Sequence, residues 1–341
     1  MRILITGGAG FIGCNLADAC VRGGHQVTIF DNLSRRGSDA NLAWLRASLG
    51  EQGFRFIQGD IRDYPAILRA AAGQEAIYHL AAQTAVTTSV ADPRTDFEIN
   101  AFGTFNVLEA ARNAGHDPIF IFASTNKVYG GMDDAPAQEL ATRYILPDYP
   151  DGVSEARPLD FHSPYGTIKG AADQYVRDYA RIYGLRSVVF RNSCIYGQRQ
   201  MGVEDQGWVA WFVIAALTGQ PITIYGNGKQ VRDLLHVDDL IRAFQAVTDR
   251  IDITAGQIYN LGGGPANTLS IWAEFGPLLS EMVGRPVTPA AWRDWRPGDQ
   301  PVFVADVSKA AREFGWAPQV GVREGIGRLF EWVRNNRHLF A

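Results

Sequence analysis

Tyr165 and Lys169 stand four residues apart in "SPYGTIKGAADQY", a stretch with helical spacing. On a helix that spacing puts both side chains on one face, within reach of one bound molecule. A lysine ammonium beside a phenol favours the phenolate, and a phenolate can take the proton of a sugar hydroxyl. Lys169 could also hold a ribose. Upstream, "FASTNKVYG" ends an apolar run in the hydroxyls of Ser124 and Thr125, followed by Asn126 and Lys127. A tyrosine and lysine at this spacing occur by chance in many helices. Combined with a hydroxyl at a strand end and a glycine loop near the start of the chain, they suit moving a proton and a hydride together.

The glycine loop is "ILITGGAGFIGCNL", which sets Gly7, Gly10 and Gly13 between a strand and a helix. Glycines let the backbone turn tightly and approach a pyrophosphate. The helix opening at Phe11 and Ile12 offers unpaired N–H groups and the positive end of its dipole. The next strand ends in Asp31, where a ribose-binding carboxylate belongs. Asp31 can accept both adenosine ribose hydroxyls and would repel a 2′-phosphate, which favours NAD over NADP. Asn32, Ser34, Arg35 and Arg36 follow it, and the arginines are the one feature that could hold such a phosphate. Asp60 and Ile61, at the end of the third strand, stand ready for the adenine edge.

These residues require a particular scaffold. The strands "RILIT", "HQVTIFD", "FRFIQGD", "AIYHLAA" and "PIFIFAS" alternate with helical stretches, among them "DFEINAFGTFNVLEAARNAG" and about 164–183. Near-continuous apolar strands separated by helices predict a Rossmann-type α/β fold: a doubly wound parallel sheet covered on both faces. Further on, "GQPITIYGNGKQVRDLLHVDDLIRAF" reads as strand, turn and helix, with Asp238 or Asp239 stabilising the first helical turn. Helices are expected near 269–283 and 322–336. We expect residues 1–191 plus about 230–262 to form the dinucleotide unit. Residues about 192–229 plus 263–341 should form a smaller mixed α/β unit over its carboxyl edge.

The chain has 341 residues, 46% of them apolar, and a net charge of −4. Its charges are scattered, with no basic stripe for nucleic acid and no polybasic arm for a membrane surface. No apolar run approaches the ~20 residues that span a bilayer. Cys14, Cys20 and Cys194 are odd in number and form no CxxC, which suits a reducing, cytoplasmic location. The histidines show no metal-ligand spacing, and no metal site is expected.

Taken together, "TGGAGFIG", "DNLS", "HLAA", "STNKVYG", "YGTIK" and "LLHVDDL" resemble the extended short-chain dehydrogenase/reductases of the nucleotide-sugar epimerase and dehydratase type. The resemblance implies tightly held NAD and a C-terminal unit that grips a nucleotide-diphosphate hexose. It also implies assembly into a homodimer or homotetramer through helices near 97–114 and 164–183. Thr125, Tyr165 and Lys169 match the catalytic trio. Leu80, Ala81, Ala82, Asn100 and Ser124 match positions that line the cofactor. Dehydratases of this family carry Asp–Glu after the catalytic threonine, an acid and a base for expelling water. Asn126 and Lys127 in their place exclude that chemistry and leave oxidation and re-reduction of one carbon.

Longer stretches, including "TTSVADPRTDFEIN", "DQGWVAWF" and "GNGKQVRDLLH", resemble the branch of this family that epimerises CDP-hexoses at C2. A C4-epimerase or another nucleotide-sugar redox step is the alternative. For the substrate, Gln83, Thr84 and Thr87 are expected to face the sugar. Arg232 and Arg296 suit the diphosphate, since a guanidinium fork matches phosphate oxygens. Asn192 could donate to a phosphate or sugar oxygen, and Trp208 could stack near the base.

Overall fold

A computed structural model describes residues 1–296 and 298–340. The strands are β1 (Arg2–Thr6), β2 (Gln26–Asp31), β3 (Arg55–Gln58), β4 (Ala76–His79), β5 (Ile119–Thr125), β6 (Gln138–Glu139), β7 (Tyr144–Ile145) and β8 (Ser187–Asn192). They continue with β9 (Cys194–Tyr196), β10 (Thr223–Tyr225), β11 (Val231–His236), β12 (Ile258–Leu261), β13 (Thr268–Ser270), β14 (Ala291–Arg293) and β15 (Val302–Phe303). The main sheet has seven strands in the order β12-β8-β5-β4-β1-β2-β3. Every neighbouring pair is parallel. The order reverses at β1, between β4 and β2, and a crevice opens there outside the carboxyl ends of the strands.

Apolar side chains on successive residues of one strand point to opposite faces. In β1, Ile3 and Ile5 enter one layer with Leu16 of the helix Phe11–Arg22 and Leu240 and Phe244 of the helix Val237–Asp249. Leu4 enters the other layer with Ile67, Val107 and Val176, from three further helices. Two apolar layers explain why these strands read as unbroken apolar runs.

A third core holds the C-terminal unit together, built on the helices Trp208–Thr218, Phe275–Val283 and Val322–Asn335. One expectation is corrected here. Residues 230–236 were assigned to the dinucleotide unit, yet β11 pairs with β9, β13 and β15 in a separate sheet. The rest of that segment does join the main sheet: the helix Val237–Asp249 packs against the helix Phe11–Arg22, and β12 is the sheet's end strand. The chain crosses between units at His236. That residue caps the helix, its Nδ1 accepting from the Asp238 N–H at 3.3 Å, and Asp238 and Asp239 both stand in the first turn as expected. Asp239 also accepts the N–H groups of Gln319 and Val320 at 3.1 and 2.9 Å.

The predicted helix "DFEINAFGTFNVLEAARNAG" carries a π-helical stretch, Glu98–Gly103. A π insertion rotates the residues beyond it around the helix axis and commonly marks a functional site. Among the described residues, no helix is long and apolar enough to cross a membrane.

Candidate active site

The carboxyl ends of β1, β2, β4, β5 and β8 open into a cleft of about 690 Å³, closed on the far side by the C-terminal unit. Gly7, Gly10, Phe11, Ile12 and Gly13 line one end of it. Gly7 has φ 70°, and a Cβ there would come within 2.7 Å of the Ala81 nitrogen. A Cβ on Gly13 would come within 2.2 Å of the Gly7 oxygen. The loop is therefore pressed against β4 and its own helix, with room only for glycine at both points.

Asp31 is buried, and its carboxylate accepts the Ala9 N–H at 3.0 Å and the Leu33 N–H at 2.8 Å. Burial raises its pKa, and the backbone donors oppose that rise. Asn32, Ser34, Arg35, Asp60 and Ile61 line the same end. Asp60 is held down to about 2, chiefly by hydrogen bonds from Arg62. These residues fit NAD. The glycine cradle approaches a pyrophosphate, and the Asp31 carboxylate has acceptor capacity left for ribose hydroxyls. Arg35 does not serve as a free phosphate clamp, because its Nη2 donates to Gln206 Oε1 at 2.5 Å.

Tyr165 and Lys169 reach the cleft from the helix Pro164–Tyr183. Its start is firmly set. Ser163 caps it by accepting the Gly166 N–H at 3.0 Å, and Pro164 fills the first turn. Ser163 has φ 127°, a conformation that favours glycine and costs of order 1–3 kcal/mol. The Tyr165 N–H donates to Ser89 Oγ at 3.1 Å, which ties the helix to the segment after β4. Deeper in, Arg191 of β8 forms a buried pair with Asp173 at 2.9 Å, and Ser124 Oγ donates to the same carboxylate at 3.0 Å. Removing one partner of such a pair costs roughly 3–5 kcal/mol. This network fixes the helix to β5 and β8 beneath Thr125, Tyr165 and Lys169.

Burial pushes the Tyr165 phenol up to about 12, against a hydrogen bond with Thr125. Burial pulls Lys169 down to about 7, against the charges of Asp173 and Asp96. Its Nζ donates to the Ala123 oxygen at 2.7 Å and sits 4.2 Å over the Phe122 ring. Burial is the largest influence on both groups.

Leu80, Ala81, Ala82, Gln83, Thr84, Thr87, Ser124 and Thr125 line the cleft. Two of the predicted residues have internal duties instead. Gln83 Nε2 donates to Asp96 at 2.8 Å and to the Ala85 oxygen at 2.9 Å, so its amide is committed to the loop. Asn100 lies behind the cleft, taking the Gln83 N–H at 3.0 Å and donating to the Gln83 oxygen at 2.9 Å. Its position on the π-helical stretch makes this reach possible.

On the far side, Asn192, Trp208, Arg232 and Arg296 line the cleft. The buried Asn192 Oδ1 has no partner among the described residues. Arg232 pairs with Asp299 at 2.5 Å. Arg296 donates to the Glu204 oxygen at 2.9 Å and lies 4.0 Å over the Tyr225 ring. Trp208 packs edge-on against Phe275 and Phe212.

Sequence reasoning missed the strap 198–206. It crosses from the end of the C-terminal unit to the adenosine end of the cleft. Arg199 Nε donates to Asn15 Oδ1 at 3.0 Å, and its guanidinium stacks 3.8 Å from the Trp44 ring. Asn15 and Asn41 donate to the oxygens of Gln198 and Arg199 at 3.1 and 3.3 Å. Asp299 was also missed. Neither carries a motif, since their partners are distant in sequence. Among the described residues, no group of three His, Cys, Asp or Glu side chains is placed to hold a metal.

The NAD dependent epimerase/dehydratase family matches residues 3–262. Over 98% of its length the chain is 44% identical to the CDP-paratose 2-epimerase of Salmonella typhi, covering 99% of that protein. It is 35% identical to the UDP-glucose 4-epimerase of Mycolicibacterium smegmatis, with 98% and 99% covered. Among solved structures, the dTDP-glucose 4,6-dehydratase DesIV of Streptomyces venezuelae, crystallised with NAD and TYD, superposes with a TM-score of 0.85 at 32% identity, covering 99% of this chain and 98% of that one.

Proposed function

The chain belongs to the NAD-dependent epimerase/dehydratase family, and on that premise we propose that it epimerises a CDP-hexose at C2 through a transient 2-keto sugar. The observation that carries the reading is the pairing of a complete trio, Thr125, Tyr165 and Lys169, with Asn126 and Lys127 where expelling water would need two carboxyl groups. The 44% identity to a 2-epimerase favours C2 over C4.

NAD, when bound, supplies a hydride acceptor and a positively charged ring beside Tyr165. The chain's own residues do the rest. Gly7, Gly10 and Gly13 would hold the pyrophosphate and Asp31 the ribose. Tyr165 takes the proton of the C2 hydroxyl, with Thr125 donating to the phenolate or the sugar oxygen. Lys169 would hold the nicotinamide ribose and add positive charge. Tyr165 would return the proton to the C2 oxygen when the ketone is reduced again. The ketone must turn over, so the grip belongs on the nucleotide and diphosphate, near Arg232, Arg296 and Asn192, and not on the hexose.

We assign a homodimer or homotetramer to the chain. Phe97, Phe102, Phe105, Tyr175, Ile182 and Tyr183 are exposed on two neighbouring helical segments, an apolar face that a second copy would cover. A reducing cytoplasm suits its three free cysteines.

The test is a panel of CDP-, UDP- and GDP-hexoses with no added cofactor, products read by NMR. The expected result is interconversion of C2 epimers of a CDP-hexose, with deuterium at C2 slowing turnover and staying in the product. Uptake of solvent deuterium at C2, or exclusive change at C4, overturns the reading.

A further inference from the structure

Lys127 follows the catalytic threonine by two residues, in the short helical turn Asn126–Tyr129 that closes β5. The turn is fixed: Thr125 Oγ1 accepts the Lys127 N–H at 3.2 Å. Lys127 lines the cleft, as do Arg232 and Asp299, whose charges act on it. Its ammonium has no hydrogen bond and no carboxylate within salt-bridge distance among the described residues. Asp299, the acid that acts on it, is already paired with Arg232. From the strap, Glu204 accepts from Tyr225 at 3.1 Å, and Asp205 lies 3.4 Å from Arg296. Two cations, Lys127 and Arg232, thus face one space and share a single, committed acid. Burial draws the Lys127 ammonium down to about 8, and repulsion from Arg232 adds to that. An anion placed between two such cations would relieve both the burial cost and the repulsion.

The chemistry of the sugar says which anion. For a reaction at C4, the neighbouring carbons are C3 and C5, and the anomeric phosphate lies across the ring. For a reaction at C2, one neighbour is C1, which carries the phosphate oxygen. The sugar-proximal phosphate must then lie close to the reacting carbon, and so close to Thr125 and the residues just after it. We propose that Lys127 is a ligand of the sugar-proximal phosphate, and that with Arg232 it fixes the ring so that C2 rather than C4 faces Tyr165. This rests on the C2 reading above. It gives Lys127 a duty in substrate binding and none in proton transfer.

The test is calorimetric titration of the NAD-loaded enzyme with CDP, at pH 7 and pH 9. Wild-type affinity should fall about tenfold over that range as the ammonium titrates. Lys127→Met, nearly isosteric and so still folded, should bind CDP at least tenfold more weakly at pH 7 and lose the pH dependence. Lys127→Arg should recover both affinity and a flat, tight profile. UDP should show the same loss, because the contact is to phosphate. Lys127→Met binding CDP as tightly as wild type, or losing turnover with CDP affinity intact, overturns the proposal. The C2 reaction is scored separately, by wild-type product NMR, so its failure is not mistaken for failure of the phosphate contact.

Discussion

Burial dominates the acid–base behaviour of Tyr165 and Lys169. A phenol pushed up to about 12 and an ammonium pulled down to about 7 are both held toward their neutral forms. A positive charge placed beside them favours the phenolate strongly, since little water screens it. The same burial has a consequence for stability. Between about pH 7 and the ordinary lysine range, Lys169 is protonated in the unfolded chain and largely neutral in the folded one. The unfolded state then binds more protons, so stability rises with pH across that window, by up to about 1.4 kcal/mol per pH unit from this group. Urea unfolding of NAD-stripped protein at pH 7 and pH 9 should show the rise, and Lys169→Met should reduce it while abolishing turnover. An unchanged slope in the variant would mean that Lys169 titrates normally.

Helix Pro164–Tyr183 has two loaded faces. One carries Tyr165 and Lys169 into the cleft and Asp173 onto Arg191. The other exposes Tyr175, Ile182 and Tyr183, beside Phe97, Phe102 and Phe105 of the preceding helical segment. If two copies join through these faces, assembly clamps the helix that holds the catalytic pair. Ile182→Glu, 66% exposed and far from the cleft, should leave the fold intact while shifting sedimentation toward the monomer. Turnover should fall with it at low protein concentration. A variant that sediments as wild type places the interface elsewhere.

At the scale of the molecule, the strap 198–206 joins the two units at the end of the cleft that Asp31 and Arg35 line. It is held by Arg199 on Asn15 and Trp44, and by Arg35 on Gln206. NAD seated on the glycine loop and Asp31 is expected to leave more slowly while these contacts hold. Arg199→Ala should lose NAD on dialysis at least several-fold faster, measured by chromatography of extracted nucleotide, and should regain activity when NAD is added back. Retention equal to wild type would show that the glycine loop and Asp31 suffice.

The glycine loop, the acid at the end of β2, the meeting of Thr125, Tyr165 and Lys169 in one cleft and the parallel sheet were legible in the chain because each depends on local rules. Glycine allows close approach, a period-two or helical spacing sets a face, and four residues bring two side chains together. Other features depended on contacts between distant segments, and local spacing carries no trace of those. Tertiary structure alone placed β11 in the second sheet, put Asn100 behind the cleft by means of a π-helical stretch, and committed Arg35 to Gln206. It also decided the meaning of Lys127. In the sequence it marks only the loss of a carboxylate, but folding brings it to Arg232 and gives their shared space its positive charge.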